Sequence, residues 1–230
     1  MKIMGIDISS KSTGWAVIDG DKLISYGKIN PTGSLTHGQK LYYFGVELER
    51  MLNVENPDVI FIEDVVQVKS VKVLKILARF NGVAVVEAYR KLQVEPVMFE
   101  PTEWKKMVLG FGSAKKVDAQ VYVCKRYKLL SDERVRSYEE RIESLRGVVV
   151  EDKSSELKDL KKRYKKSGDE GLLREIEKIK EIVLSDKKGN KKEIVKKFDE
   201  MSMGIYTESS VNEDIADAVC VALAGQMSIR

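Results

Sequence analysis

The sequence predicts an α/β fold: five strands interleaved with helices, and a charged, mostly helical insertion ahead of the final helix. Three observations predict it. The chain opens with an apolar run and two alternating runs close together in sequence. Helical and strand patterns then take turns as far as about Tyr127. A Lys- and Glu-dominated stretch at about 129–210 separates these from one last apolar helix.

The elements follow in order. KIMGIDI is a short apolar run, while GWAVIDG and DKLISYGKI alternate, and Asp19-Gly20-Asp21 between those two has hairpin-turn chemistry. From about Thr36 to Asn53, Leu41, Phe44, Leu48 and Leu52 recur at helical spacing, with Asn56-Pro57 as the stop. DVIFIE reads as a buried strand. A long helix follows from about Ser70 to Leu92, carrying Val73, Leu77, Phe80, Ala84 and Ala88. VEPVMF is a strand, and Pro101 opens a short helix broken by Gly110 and Gly112. Ser113 is expected to cap a helix reaching about Tyr127, and the last helix covers Glu213 to Met227.

Within 129–210, runs such as ELKDLKKRYKKSGDE and REIEKIKEI account for a charged fraction of 33%. Helical spacing survives there in pieces: Tyr138, Ile142 and Leu145; Leu157, Leu160 and Tyr164; Leu172, Ile176, Ile179 and Val183. The expected division is a core of 1–128 with 211–230, and a helical insertion at 129–210.

Bulk properties narrow the function classes. The 230 residues are 43% hydrophobic, enough for a real core. Lys and Arg number 40 against 36 acids, a net charge of +4 that alone says little about partners. Two cysteines, Cys124 and Cys220, make no disulfide framework and read as buried thiols. No apolar run approaches the roughly 18 residues of a membrane span, and no charged-then-apolar leader opens the chain. A cytoplasmic protein is expected.

Four acids carry the chemistry. Asp7 lies on the first strand and Glu63 ends the DVIFIE run. Asp214 and Asp217 stand one helical turn apart in NEDIADAVCVALA, on one helix face. Each is beside strongly apolar sequence, where an uncompensated charge is costly. Brought together they would repel one another unless cations neutralised them, and oxygen donors suit a pair of Mg²⁺ or Mn²⁺ ions. Asp64 is turned to the opposite face by strand alternation. No arrangement of Ser, His and Asp or of Cys and His suggests a covalent nucleophile. The single histidine, His37, reads as a surface polar residue.

Lysines supply the second signal. Lys115 and Lys116 follow Ser113 in the first turn of a helix, where cations oppose the macrodipole. A nucleic-acid phosphate at that helix start would account for them. Lys105 and Lys106 beside Trp104 extend the track, as do Lys69, Lys72 and Lys75 at the start of the long helix.

The order of these motifs resembles the RNase H-like fold, a mixed five-stranded sheet flanked by helices, and more narrowly the RuvC family of Holliday junction resolvases. GIDISSKSTGWAVI looks like the opening strand and hairpin, and FIEDV like the strand end with the catalytic Glu. NGVAVVEA resembles the small-residue stretch of the long helix, LGFGSAKKVDAQVYV the Gly-Ser-Ala-x-Lys element, and NEDIADAVCVALA the final Asp-x-x-Asp helix. The resemblance covers about 1–128 and 211–230. It implies a homodimer that nicks four-way DNA junctions in pairs, leaving 5′-phosphate and 3′-hydroxyl ends. It also implies that Asp7 bridges two ions about 4 Å apart, with Glu63 on one and Asp214 and Asp217 on or near the other. Two departures stand out: the charged insertion, and Val66 where the family commonly places an aromatic that stacks at the junction centre.

Two other readings compete. One is a broader debranching endonuclease acting on flaps, forks and Y-structures. The other is an actin-like ATPase or sugar kinase, whose phosphate loop GIDISSKST imitates, although Ser9 stands where that loop needs glycine.

Overall fold

The two alternating runs pair as expected because glycine permits the turn between them. In the computed structural model, which describes residues 1–66, 70–146, 161–162, 165, 176–177 and 193–229, β1 (Lys2–Asp7), β2 (Thr13–Asp19) and β3 (Lys22–Ile29) form an antiparallel meander. Gly20 turns the second hairpin at φ 58°, a backbone region costly for most side chains. Helix α1 (His37–Glu55) then crosses back to β4 (Val59–Glu63), which pairs parallel to β1. Helix α2 (Val71–Leu92) leads to β5 (Val97–Phe99), parallel to β4. The sheet order is β3-β2-β1-β4-β5, so β1 is central.

The helix ends follow local chemistry. Thr36 and Gln39 form a capping box at the start of α1, and Asn56 ends it in the left-handed region at φ 46°. Ser70 caps α2, as its position before an apolar-periodic run suggests. Pro101 occupies the first turn of α3 (Pro101–Leu109), and Gly110 closes it at φ 86°. The expected cap at Ser113 is corrected: α4 (Lys116–Arg126) begins later, with Lys115 at the cap. The Asp118 carboxylate accepts the Lys115 amide N–H at 2.6 Å, which fixes the start there. Beyond α4 come α5 (Asp132–Arg146), helical residues 193–209 (α6) and α7 (Glu213–Ile229).

Period-two alternation sorts the strand residues onto two faces. Met4, Ile6, Val17, Ile60 and Ile62 meet Phe44, Leu48 and Leu52 of α1 and Phe80, Ala84 and Ala88 of α2. Ile3, Ala16, Ile18 and Phe61 meet α7, with Trp104 of α3 and Ala119 and Val123 of α4. Helices α3 and α4 also pack on α7, so that every residue from Ile215 to Gly225 is buried. Val73 departs from its expected core role and is 44% exposed, because α2 buries only from Phe80 onward.

The chain divides into two compact units, residues 1–135 with 202–230 and residues 136–201. In the second, Tyr138, Ile142 and Ile176 are buried. The apolar positions Leu157, Leu160, Tyr164, Leu172, Ile179 and Val183 lie outside the described residues.

Candidate active site

Parallel pairing sets the first two acids side by side. Ile6 pairs with Ile62, so Asp7 and Glu63 are the next residues at the C-terminal ends of β1 and β4. Alternation decides which way they point. Ile3, Gly5 and Asp7 share one face, as do Phe61 and Glu63, and that face is covered by α7.

Three glycines let α7 lie against the sheet. A Cβ on Gly5 would overlap the Ala218 carbonyl oxygen and stand 2.5 Å from the Ala222 amide nitrogen. On Gly14, which pairs with Asp7, it would overlap the Asp214 carbonyl. A Cβ on Gly225 would overlap the Phe61 ring. Asp214, Ala218, Ala222 and Gly225 follow one stripe of the helix, so close approach by the small residues carries Asp214 and its neighbour Asp217 toward Asp7.

Each acid is held differently. Asp7 is 9% exposed and Asp217 only 4%. Glu63 accepts the Trp104 indole N–H on Oε2 at 2.7 Å. Asp214 Oδ2 accepts the Ser12 hydroxyl at 2.6 Å and the Asn212 amide at 3.1 Å. Asn212 also caps α7, its Oδ1 accepting the Ile215 N–H at 2.9 Å. Asp217 Oδ1 is buried with no hydrogen-bond partner among the described residues.

The electrostatics report a shared site. Burial, then Glu63, Asp217 and Asp214, push the Asp7 carboxyl well above its usual range. Burial and Glu63 push Asp217 up to about 8. Burial also raises Glu63, against the pull of the Trp104 hydrogen bond and of Lys105 and Lys116. Such mutual elevation is the signature of carboxylates crowded in a dry place without enough positive charge. Among the described residues, no three acids, histidines or cysteines already close a shell around one point. The four carboxylates are instead gathered within electrostatic reach and oriented by neighbours.

A divalent cation fits this arrangement. The donor set is all carboxylate oxygen, which suits a hard cation, and the buried, unpartnered Asp217 Oδ1 is a costly group that such an ion would satisfy.

Of the basic residues, Lys116 lies against the acids. Its ammonium lies 3.3 Å from Glu213 Oε2 and 3.8 Å from Asp214 Oδ1, and Asp217, Glu213, Asp7 and Asp214 raise its pKa despite the opposing effect of burial. It is a built-in counter-charge. Lys105 lies near enough to lower Glu63, with Nζ over the Trp104 ring at 5.2 Å. Lys106, Lys115, Lys72, Lys75 and Ser113 are exposed, and Lys69 lies outside the described residues. Asp64 is exposed and accepts the Val65 amide on Oδ1, apart from this chemistry.

Sequence reasoning missed Ser12, Asn212 and Trp104 as partners of the acids, and Glu213 as an ion-pair partner of Lys116. Only Asn212 carried a local signal, as a cap residue before an acidic first turn. His37 is corrected from a surface residue. It is partly buried, edge-on to Phe80 at 5.9 Å, with Nε2 enclosed. Both cysteines are free and buried.

Known proteins match this chain in the same region. The family model described as crossover junction endodeoxyribonuclease RuvC matches residues 3–137. That stretch includes Asp7 and Glu63 and stops before Asp214 and Asp217. A crossover junction endodeoxyribonuclease RuvC of Ruminiclostridium cellulolyticum is 32% identical over 127 residues, 54% of this chain and 76% of the relative. One of Dictyoglomus turgidum is 29% identical over 133 residues, 56% and 84% of the two chains. Among solved structures, Thermus thermophilus RuvC in complex with Holliday junction substrate superposes with a TM-score of 0.51 at 17% identity. It covers 57% of this chain and 82% of that one, a likeness of fold. With the match spanning more than half of the sequence, this chain belongs to the RuvC family of crossover junction endodeoxyribonucleases.

Proposed function

We propose that the chain is a structure-selective DNA endonuclease that resolves Holliday junctions by paired phosphodiester hydrolysis at the Asp7, Glu63, Asp214 and Asp217 site. The observation that carries this reading is the convergence of acids from the two ends of the chain on one buried patch. It includes a buried Asp217 oxygen with no hydrogen-bond partner among the described residues. Membership of the family supplies the reaction class.

The chain's own residues do the following. Asp7, Glu63, Asp214 and Asp217 would together hold divalent cations such as Mg²⁺ or Mn²⁺, their crowded carboxylates supplying the oxygen donors. Bound there, such ions would make an attacking water more acidic and offset charge on the departing 3′ oxygen. Trp104 occupies one oxygen of Glu63, which leaves the other for a cation, while Asp214 shares its two oxygens among Ser12, Asn212 and the Lys116 ammonium. Lys116 limits repulsion among the acids. Lys105, Lys106, Lys115, Lys116, Ser113, Lys72 and Lys69 are the candidates for guiding the DNA backbone, by contacts that read path and charge and not bases. Hydrolysis would leave a 5′-phosphate and a 3′-hydroxyl. A two-fold homodimer would present two such sites to a near-symmetric junction.

A broader debranching activity is a second reading, favoured by one observation. Val66, 39% exposed, offers no aromatic face for stacking at the junction centre. The kinase-like reading finds no support, since the Ser9 amide that would meet a phosphate is committed to Thr13 Oγ1 at 3.2 Å. None of the described helices is long and apolar enough to cross a membrane, and free buried thiols suit a cytoplasmic enzyme.

The test is incubation with a labelled four-way junction, a three-way junction and a flap, with and without Mg²⁺. Symmetric nicks confined to the four-way junction and dependent on Mg²⁺ are expected. The Asp7→Asn variant should bind the junction and lose cleavage by about 10²–10³-fold, the scale of an essential electrostatic group. Cutting by that variant at the parental rate would overturn the site.

A further inference from the structure

The indole of Trp104 does more than fill the core. It is completely buried in the cluster that contains Phe61, Phe99 and Val108. Phe61 and Glu63 share a strand face, so β4 delivers a packing ring and a carboxylate to the same neighbourhood. From there the Trp104 N–H donates to Glu63 Oε2 at 2.7 Å. An indole nitrogen is a donor only, so it can engage an acceptor oxygen and never compete for a cation. A phenyl or branched side chain would fill most of this volume and leave Oε2 without its donor.

We propose that Trp104 is a positioning residue: its N–H ties down one oxygen of Glu63 so that the other is presented to the acidic cluster, which sets how Glu63 takes up a divalent cation. This rests on the reading of Glu63 as a cation ligand. The hydrogen bond removes a rotation that would let the carboxylate turn both oxygens toward the sheet or toward solvent. Partners behind a metal ligand commonly govern affinity by about 10- to 100-fold. Lys105, over the face of the same indole, helps keep the ring in its plane.

Trp104→Phe keeps an aromatic ring in the core and removes the donor. Calorimetric titration with Mn²⁺ should show about 10-fold weaker binding than the parent. Glu63→Gln should also weaken binding, and adding Trp104→Phe to it should cost nothing further, because the indole acts only through Glu63. The same fold-loss in both backgrounds would show a general packing role and overturn the proposal, as would parental affinity in Trp104→Phe. Parental affinity in Glu63→Gln would sink the ligand assignment itself and the proposal with it. Melting without metal monitors the fold. If Trp104→Phe unfolds, replacement of Trp104 by benzothienylalanine, which exchanges only the N–H for sulfur, is read by the same outcomes.

Discussion

Gly5→Ala adds one methyl group at the place where the site is assembled. Gly5 lies on the central strand, paired to Ala16 of β2 on one side and Phe61 of β4 on the other. The strand cannot yield without breaking two ladders, so α7 must. The new Cβ would stand 2.5 Å from the Ala222 nitrogen, where ordinary contact begins at 3.4 Å, and would overlap the Ala218 carbonyl oxygen. The helix therefore retreats by about 1 Å or the strand buckles, and overpacking of this kind costs about 1–3 kcal/mol or more. Less flexibility in the unfolded chain returns only about 0.4–1 kcal/mol. A net loss of about 2 kcal/mol lowers the melting temperature by roughly 4–8 °C for a chain of this size. The functional loss should be larger, because a 1 Å displacement of Asp214 and Asp217 from Asp7 is worth about 10²-fold in rate. Thermal melting and junction cleavage by the same preparation test both numbers. Gly82→Ala is the control: nothing lies within 4 Å of a Cβ there, and alanine in the interior of α2 should stabilise by about 0.5–1 kcal/mol. If Gly5→Ala melted and cut like the parent, the close packing of α7 on β1 would not be what assembles the site.

Two further predictions follow from the electrostatics. Asp217 titrates at about 8 in the fold and Asp7 is also raised. A carboxyl with a raised folded pKa stabilises the fold below its unfolded value, about 4, and that advantage is lost as pH climbs through the folded value. In EDTA the melting temperature should therefore fall between about pH 5 and 8, and Mg²⁺, which binds the ionised form, should flatten or reverse the trend. A melting temperature that rises over this range in EDTA would contradict the crowding of the acids. Replacing exposed Lys106 and Lys115 by alanine should weaken junction binding alike for all sequences and reduce the salt slope by about 0.9 per lost phosphate contact. An unchanged slope would remove both from the DNA path.

Much of this protein was legible in the order of its residues because the signals are local. Alternation marked β2 and β3, helical spacing marked α1, α2 and α7, and Thr36, Ser70, Asn56 and Gly110 mark ends by chemistry acting within a turn or so of themselves. The four acids could be picked out for a related reason. Asp7, Glu63 and Asp217 are charged residues within or at the ends of apolar elements, and the cost of burying charge makes such positions conspicuous. The start of α4 was misplaced because Ser113 and Lys115 both lie where a cap could form, and the Asp118 carboxylate selected the second.

Tertiary structure decided what depends on distance across the fold. Trp104 meets Glu63 from 41 residues away and Ser12 meets Asp214 from 202 away, separations at which no periodicity carries information. Lys116 could face DNA or the acids on the same helix turn, and only the docking of α7 beside α4 aims it at Glu213 and Asp214. His37 could remain wet or pack on a ring, and only the crossing of α1 and α2 encloses it against Phe80. Sequence thus determined which elements form and which charges sit beside apolar residues, because backbone propensity and amphipathic period act over a few residues. The aim of each side chain within the site was set by which surfaces came to lie against one another, and that is settled only when the sheet and α7 are packed.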